Sequence, residues 1–323
     1  MLSKQQTTGP ERYNLAYRDF VLNQMMSIQI LNKVVALWGM ARPLILVSVM
    51  LVYFTGSLIA RANGYGWSLL PFVWGLLALM FVALSIHYAN EYADHLTDAL
   101  TTRTPFSGGS GVLPAGLVSR RLALQAAWVT LIMGSIIAGM GVVIGMGNSR
   151  VLLVLLLGVL GGWMYSLPPL ALAWRGWGEA DNAVLGGILL PLYGYTVQTG
   201  RVDWQVIVGC LPFALLVFIN LLATTWADRE ADFQVGKRTL ATLLPIRQLW
   251  VLYGTAAVLS FAALPFLADR ILPRSVALSS FAALPLVLWA GLHYTRIHSP
   301  HPTVFAMIAL LLIQIVTWFL AGN

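Results

Sequence analysis

Long apolar runs separated by short polar connections dominate the chain. They fall at Leu44–Ala60, Leu69–Ala89, Leu122–Ile144, Val151–Tyr165, Ala183–Val197, Val206–Trp226, Leu249–Leu267, Val276–His293 and Val304–Leu320. A helix that crosses the hydrocarbon core needs about 20 residues, so the shorter runs extend into their flanks. The pattern predicts an all-α polytopic membrane protein with nine transmembrane helices. The opening segment is different: Met1 to about Asn32 is polar or mixed, without a compact apolar core and cleavage site, so no secretory signal is expected. Within it, Tyr13 to Val34 has the spacing of an amphipathic helix on the membrane surface. The expected division is a cytoplasmic or interfacial segment over residues 1–35 and a nine-helix unit over 36–323.

Composition agrees: the 323 residues are 59% hydrophobic and 10% charged, with a mean hydropathy of +0.78. Soluble domains carry roughly 25% charged residues. The net charge of +7 points to orientation rather than to nucleic acid, because the basic residues are spread between the spans. With the N-terminus in the cytoplasm, Lys and Arg divide fourteen inside to five outside, which fits the positive-inside rule and leaves the C-terminus outside. The single cysteine, Cys210, lies in an apolar run and reads as a packing residue; it excludes intrachain disulfides and cysteine-based zinc sites. No two histidines form a spaced metal pair on one helix, and His298 and His301 read as solvated loop residues around Pro300.

The candidate chemistry is concentrated at two helix ends. Half of the twelve acidic residues fall in two windows, NEYADHLTD and ADREADFQVGKRT. Residues four apart share one helix face, so Asn90, Asp94 and Asp98 form one row of oxygen ligands, and Asp228 and Asp232 another. Carboxylates beside lipid are costly and mark working sites. Both windows close helices that run in the same direction, on the predicted cytoplasmic side, where Arg175 also lies. Asn90 and Asn220 are 130 residues apart, as are Asp98 and Asp228, like a faint direct repeat that brings the two ends together. Facing clusters of this kind suit two Mg²⁺ ions bridged by a diphosphate, with Lys237 and Arg238 adding charge-assisted contacts. Solvated charge at helix ends is the plain alternative.

Gly108, Gly109 and Gly111 in TPFSGGSGVLPAG either present amide N–H groups to an anion or form a flexible turn. Arg103, just before them, is the better phosphate candidate. Arg175 and Glu179 either bind a second substrate or pair with each other at i,i+4 spacing. Trp163, Tyr193 and Tyr195 read as packing or interfacial aromatics that could also line a cavity.

The two motifs together resemble those of the UbiA superfamily of intramembrane prenyltransferases, which carry NxxxDxxxD and a second DxxxD. The resemblance runs from about Trp38 to His293. ARPLIL near Arg42, TPFSGGSGVL, YSLPPLALAWRGWGE and DREADFQVGKRTLAT look most like the 1,4-dihydroxy-2-naphthoate prenyltransferases of menaquinone synthesis. This resemblance implies nine helices around a central cavity with a cytoplasmic cap of loops and a side opening to lipid. It implies that Asn90, Asp94, Asp98, Asp228 and Asp232 bind the diphosphate through Mg²⁺, and that Arg103, Lys237 and Arg238 contact phosphate. It places Tyr165 near the reacting carbon, where a ring face favours an allylic cation; an interfacial tyrosine is the alternative. Asn220 becomes an auxiliary ligand. Two departures bear on the acceptor: Thr97-Asp98-Ala99 where some naphthoate enzymes have a glycine and a later aspartate, and the absence near SLPPLALAW of the lysine seen in many hydroxybenzoate members.

The expected function is Mg²⁺-dependent transfer of a polyprenyl group from its diphosphate to an aromatic acceptor, 1,4-dihydroxy-2-naphthoate first, giving demethylmenaquinone. Homogentisate, hydroxybenzoate or a chlorophyll precursor are alternative acceptors, and a terpene cyclase needs none. A cation-coupled transporter is the alternative of another class, but it predicts mid-bilayer charges on broken helices, often in inverted halves. Expected partners are the lipid bilayer, a polyprenyl diphosphate and the acceptor, and the expected location is a prokaryotic cell membrane with the site toward the cytoplasm.

Overall fold

The computed structural model describes residues 30–322 together with Gln24. Apart from Gln24 and its last turn, the expected amphipathic helix at residues 13–34 lies outside them. Among the described residues there are no strands. The helices are α1 (Ile30–Met40), α2 (Pro43–Ala62), α3 (Leu69–Asp98), α4 (Arg120–Val143), α5 (Ser149–Ser166), α6 (Gly178–Val184), α7 (Leu190–Thr199), α8 (Trp204–Ala227), α9 (Arg229–Gln234), α10 (Leu240–Leu243), α11 (Ile246–Leu267), α12 (Arg274–Ser280), α13 (Leu284–His293) and α14 (His301–Ala321).

Eight of these segments are long and apolar enough to cross a membrane, with α12 and α13 joined as Arg274–His293. The remaining expected span, Ala183–Val197, is helical from Gly178 to Thr199 but changes pitch. A π turn, Leu185–Leu189, separates α6 from α7. Pro191 offers no N–H to the carbonyl of Gly187, so the regular i→i−4 ladder breaks there. Among the described residues, the nine expected spans therefore appear as eight candidate spans, one of them built from α12 and α13, and a shorter segmented helix.

The ends have local causes. α1 turns into α2 at Arg42, which is left-handed (φ 51°), and Pro43 follows at the first helical position. Ser119 caps α4 by accepting from Leu122 N, and Asn148 caps α5 by accepting from Arg150 N and Val151 N. α7 stops at Gly200, left-handed at φ 65°.

Packing relies on small residues. α4 buries only Ala123, Ala127, Gly134, Ala138 and Gly141 against its neighbours. Val129, Ile136, Met140 and Val143 face outward. Apolar belts of this size are stable against lipid rather than water, and the chain is an integral membrane protein. Gly56 of α2 and Gly194 of α7 meet back to back: a Cβ on Gly56 would fall 1.9 Å from Pro191 O, and one on Gly194 2.1 Å from Tyr53 O. α14 returns against α2 and α8 and closes the bundle. α3 and α8 both end at one mouth, under connections that include α9 and α10.

Candidate active site

A cavity of about 320 Å³ opens beneath those connections, walled by α2, α3, α5, α6, α8 and α14. Asn90, Asp94 and Asp98 reach it from α3, and Asn220, Thr224 and Asp228 from α8. These are two rows with the same four-residue step, 130 residues apart. α8 ends at Asp228 and the chain restarts as α9, in which Asp232 N–H bonds to Asp228 O at 2.9 Å. That continuation keeps Asp232 on the cavity wall.

The two rows are tied across the cavity. Asp94 Oδ2 accepts from Asn90 Nδ2 and from Lys237 Nζ, both at 3.0 Å, and Asp94 Oδ1 accepts from Trp174 Nε1 at 3.0 Å. Lys237 Nζ also lies 3.5 Å from Asp232 Oδ1. Burial alone would lower the Lys237 pKa, but Asp94 and Asp232 outweigh it and hold the ammonium above its usual range. Burial, reinforced by Asp232 and opposed by Lys237, pushes Asp228 up to about 7. Burial also pushes Asp232 up to about 6, again against Lys237.

Asp98 Oδ2, Asp228 Oδ1 and both Asp232 oxygens are buried without a hydrogen bond. Such groups are costly unless a cation or donor meets them. They are hard oxygen donors, the kind that Mg²⁺ takes. Among the described residues, no three or more His, Cys, Asp or Glu side chains converge closely enough to hold an ion. An ion here therefore needs oxygens from a ligand or water as well, and Mg²⁺ is commonly held by one or two carboxylates plus phosphate.

The glycine loop roofs the site. Gly108 and Gly109 line the cavity. At Gly109 (φ 65°) a Cβ would fall 2.0 Å from Asp98 Oδ2, so only glycine admits this approach. Buried Glu91 holds the loop. It accepts from Ser110 N at 2.8 Å and Ser110 Oγ at 2.5 Å, and from Arg42 Nε at 2.9 Å and Nη2 at 2.6 Å. Arg42 also lines the cavity. Neither residue stood out in the sequence, although Glu91 sits beside Asn90 and Arg42 is the second residue of the ARPLIL stretch.

Tyr165 lines the cavity, together with Asn220 and Lys237. Three arginines do not. Exposed Arg103 donates to the Ser110 carbonyl and so braces the loop. Exposed Arg238 bonds through its backbone N–H to Trp174 O at 3.3 Å, alongside exposed Arg175. Glu179 is buried (1% exposed) and accepts from Thr225 Oγ1 at 3.1 Å and Leu240 N at 2.9 Å. Among the described residues it makes no ion pair with Arg175; its carboxylate staples α6 to α8 and α10 instead. His301 is half-buried, its ring 5.3 Å from that of Phe106 in the loop, so it is not the solvated residue expected, whereas His298 is exposed. Trp163 packs on Trp128 and donates to Ser85 Oγ, and Tyr195 donates to Asp203 at 2.9 Å; both are packing aromatics.

A second chamber of about 210 Å³ adjoins the first between α2, α3, α5 and α6–α7, with Tyr193 in its wall. Nearly all of its lining is apolar. Ile86, His87, Asn182 and Leu185 border both chambers.

Comparison with known proteins gives one family. The chain is 26% identical over 212 residues to the 1,4-dihydroxy-2-naphthoate octaprenyltransferase of Bacillus subtilis, covering 64% of this chain and 65% of that one. It is 25% identical over 224 residues to the protoheme IX farnesyltransferase of Ehrlichia chaffeensis, covering 68% of each. The fold matches the solved structure of a UbiA homolog from Archaeoglobus fulgidus bound to GPP and Mg²⁺, with a TM-score of 0.62 and 21% identity, over 88% of this chain and 99% of that one. The profile of the UbiA prenyltransferase family matches residues 49–320, and the chain belongs to that family.

Proposed function

We propose that this protein is a prenyltransferase that moves a polyprenyl group from an allylic diphosphate to 1,4-dihydroxy-2-naphthoate, with Mg²⁺ bound at the two acidic rows. The observation that carries this reading is the set of buried carboxylate oxygens without hydrogen bonds on Asp98, Asp228 and Asp232, facing one cavity from two helix ends. Family membership and the relative named for naphthoate prenylation support the donor and acceptor. The solved homolog was bound to GPP and Mg²⁺.

In this reading Asn90, Asp94, Asp98, Asp228 and Asp232 hold two ions. When bound, Mg²⁺ supplies charge neutralisation to the departing diphosphate. Lys237, already bridging Asp94 and Asp232, contacts a phosphate oxygen. Tyr165 offers its ring to the developing allylic charge. Arg103 acts through the glycine loop, which it braces at the Ser110 carbonyl, and Arg238 lies outside the cavity lining. The apolar lower walls from Val49 to Leu311 take the isoprenoid tail at roughly 25 cal/mol per Å² of buried area and keep water from the cation. The excess of Lys and Arg on the carboxylate side supports a site toward the cytoplasm, with residues 36–323 acting as one prenyltransferase unit behind an interfacial N-terminal segment.

A second acceptor class is favoured by one observation, the similarity to a protein named protoheme IX farnesyltransferase. Mass spectrometry of products decides between them. Reconstituted protein is given geranyl diphosphate and Mg²⁺ with the naphthoate, 4-hydroxybenzoate, homogentisate or protohaem. A decarboxylated prenyl naphthalenediol is expected; product from protohaem alone overturns the acceptor assignment.

A further inference from the structure

We propose that His87 is the base that takes the hydroxyl proton of the acceptor, and that Asn182 orients that acceptor at the junction of the two chambers. This deepens the prenyl-transfer reading and rests on it.

His87 stands one turn before Asn90 on α3, in the wall shared by both chambers. Its Nδ1 lies 2.6 Å from the carbonyl oxygen of Ala41. A carbonyl only accepts, so Nδ1 carries the proton, and in the neutral ring Nε2 is left with the lone pair. Nε2 has no partner among the described residues. Opposite, from α6, Asn182 borders the same junction, and its side-chain amide also makes no hydrogen bond within the described residues. Around them the walls are Ile45, Val49, Ile86 and Leu185. A few polar groups in an otherwise apolar pocket fix the orientation of a bound ligand. Here they offer one acceptor from His87 and a donor plus an acceptor from Asn182. That complements a flat hydroxyarene better than an isoprenoid tail, which has no use for either.

The ring is also held in place. Ala41 precedes Arg42, whose guanidinium is pinned by Glu91, so the carbonyl that fixes the His87 tautomer belongs to a braced corner. Arg42 and Glu91 are the charged groups nearest the imidazole.

The arene carbon bonds to C1 of the allylic group while the C1–O bond breaks, and that electron pair leaves with the diphosphate. The acceptor O–H bond breaks, its pair feeding the ring and its proton going to Nε2. The adduct regains aromaticity by releasing carbon dioxide from its carboxylate, and the proton returns from Nε2 to the oxygen.

The test uses full-length protein in nanodiscs with Mg²⁺, geranyl diphosphate and a series of hydroxynaphthoates of increasing hydroxyl acidity. For His87→Phe, kcat should fall about a hundredfold with the least acidic acceptor. The defect should shrink as the acceptor becomes more acidic, with the KM for donor unchanged. Acceptor-independent hydrolysis of geranyl diphosphate should stay at the wild-type rate, which reports a folded donor site. Asn182→Ala should raise acceptor KM about tenfold with a smaller change in kcat. Wild-type turnover by His87→Phe overturns the proposal, as does a defect equal across the series. Wild-type protein that hydrolyses donor but prenylates only protohaem overturns both the acceptor reading and the role of His87; absence of hydrolysis and of transfer overturns the prenyltransferase reading itself.

Discussion

The two acidic rows look alike in spacing but differ in how their oxygens are used. On α3 the row lies on one unbroken helix, and Asp94 is fully engaged by Asn90, Trp174 and Lys237. On the other side the helix breaks at Asp228, and Asp228 Oδ1 and both Asp232 oxygens have no hydrogen bond. Asp94 serves to position, whereas Asp98 Oδ2 at the end of the same row and the three oxygens of the α8–α9 side are left to receive. Where the two differ, the incoming cation has most to gain on the α8–α9 side.

The largest expected effect comes from removing either row. Asp94→Ala or Asp228→Ala should each lower transfer on the order of a thousandfold while the protein still inserts and unfolds cooperatively. Near-normal turnover in either variant, measured by labelled product, would break the two-row clamp. A chelator should abolish turnover in the wild type, with recovery on adding Mg²⁺. The rows then separate in affinity: Asp232→Asn should weaken Mg²⁺ binding about tenfold or more, and Asp94→Asn less, because Asp94 is already committed to protein donors. Equal losses in a calorimetric titration would erase the distinction.

Protons compete for the same oxygens. With Asp228 at about 7 and Asp232 at about 6, both held up chiefly by burial, ion binding must displace protons below neutrality. Mg²⁺ affinity should therefore rise as pH climbs through 6 and 7 and level off above. Calorimetry in buffers of different ionisation enthalpy should show protons released at pH 6 and almost none at pH 8.5. A flat profile would contradict the buried carboxylates as ligands. Lys237→Ala bridges neither row and should raise donor KM severalfold while leaving acceptor KM nearly unchanged; the reverse pattern would move Lys237 away from the diphosphate. The smallest catalytic effect belongs to Glu179→Ala, which loses bonds to Thr225 and Leu240 N and should cost about 1–3 kcal/mol of stability, read as a lower Tm, without changing Mg²⁺ affinity.

Much of this arrangement was legible in the chain itself. Four-residue steps put Asn90, Asp94 and Asp98 on one face, and the 130-residue interval anticipated that Asn220 and Asp228 would oppose them. Apolar runs located eight of the spans. The segmented helix was missed because a π turn depends on Pro191 and on the close fit of Gly187 to Ala214, and hydropathy registers neither. The arginines were harder still. Arg103 follows the first acidic window and Arg238 lies in the second, yet both are exposed outside the cavity, as is Arg175, while Arg42 is carried inward by a left-handed corner and Glu91. Proximity along a loop says little about direction, whereas periodicity along a helix says much. Glu179 and Arg175 satisfied the i,i+4 rule on paper, yet Gly176 (φ 82°) breaks the helix between them.

The glycine contact between α2 and α7 sets a mechanical condition on everything above it. With Gly56 and Gly194 nearly touching through their backbones, those two helices are pinned at one depth like crossed blades at a rivet. A methyl group at Gly194 would fall 2.1 Å from Tyr53 O and wedge the blades apart, so a change far from any carboxylate would disturb the cavity wall that Ile45, Val49 and Val52 form.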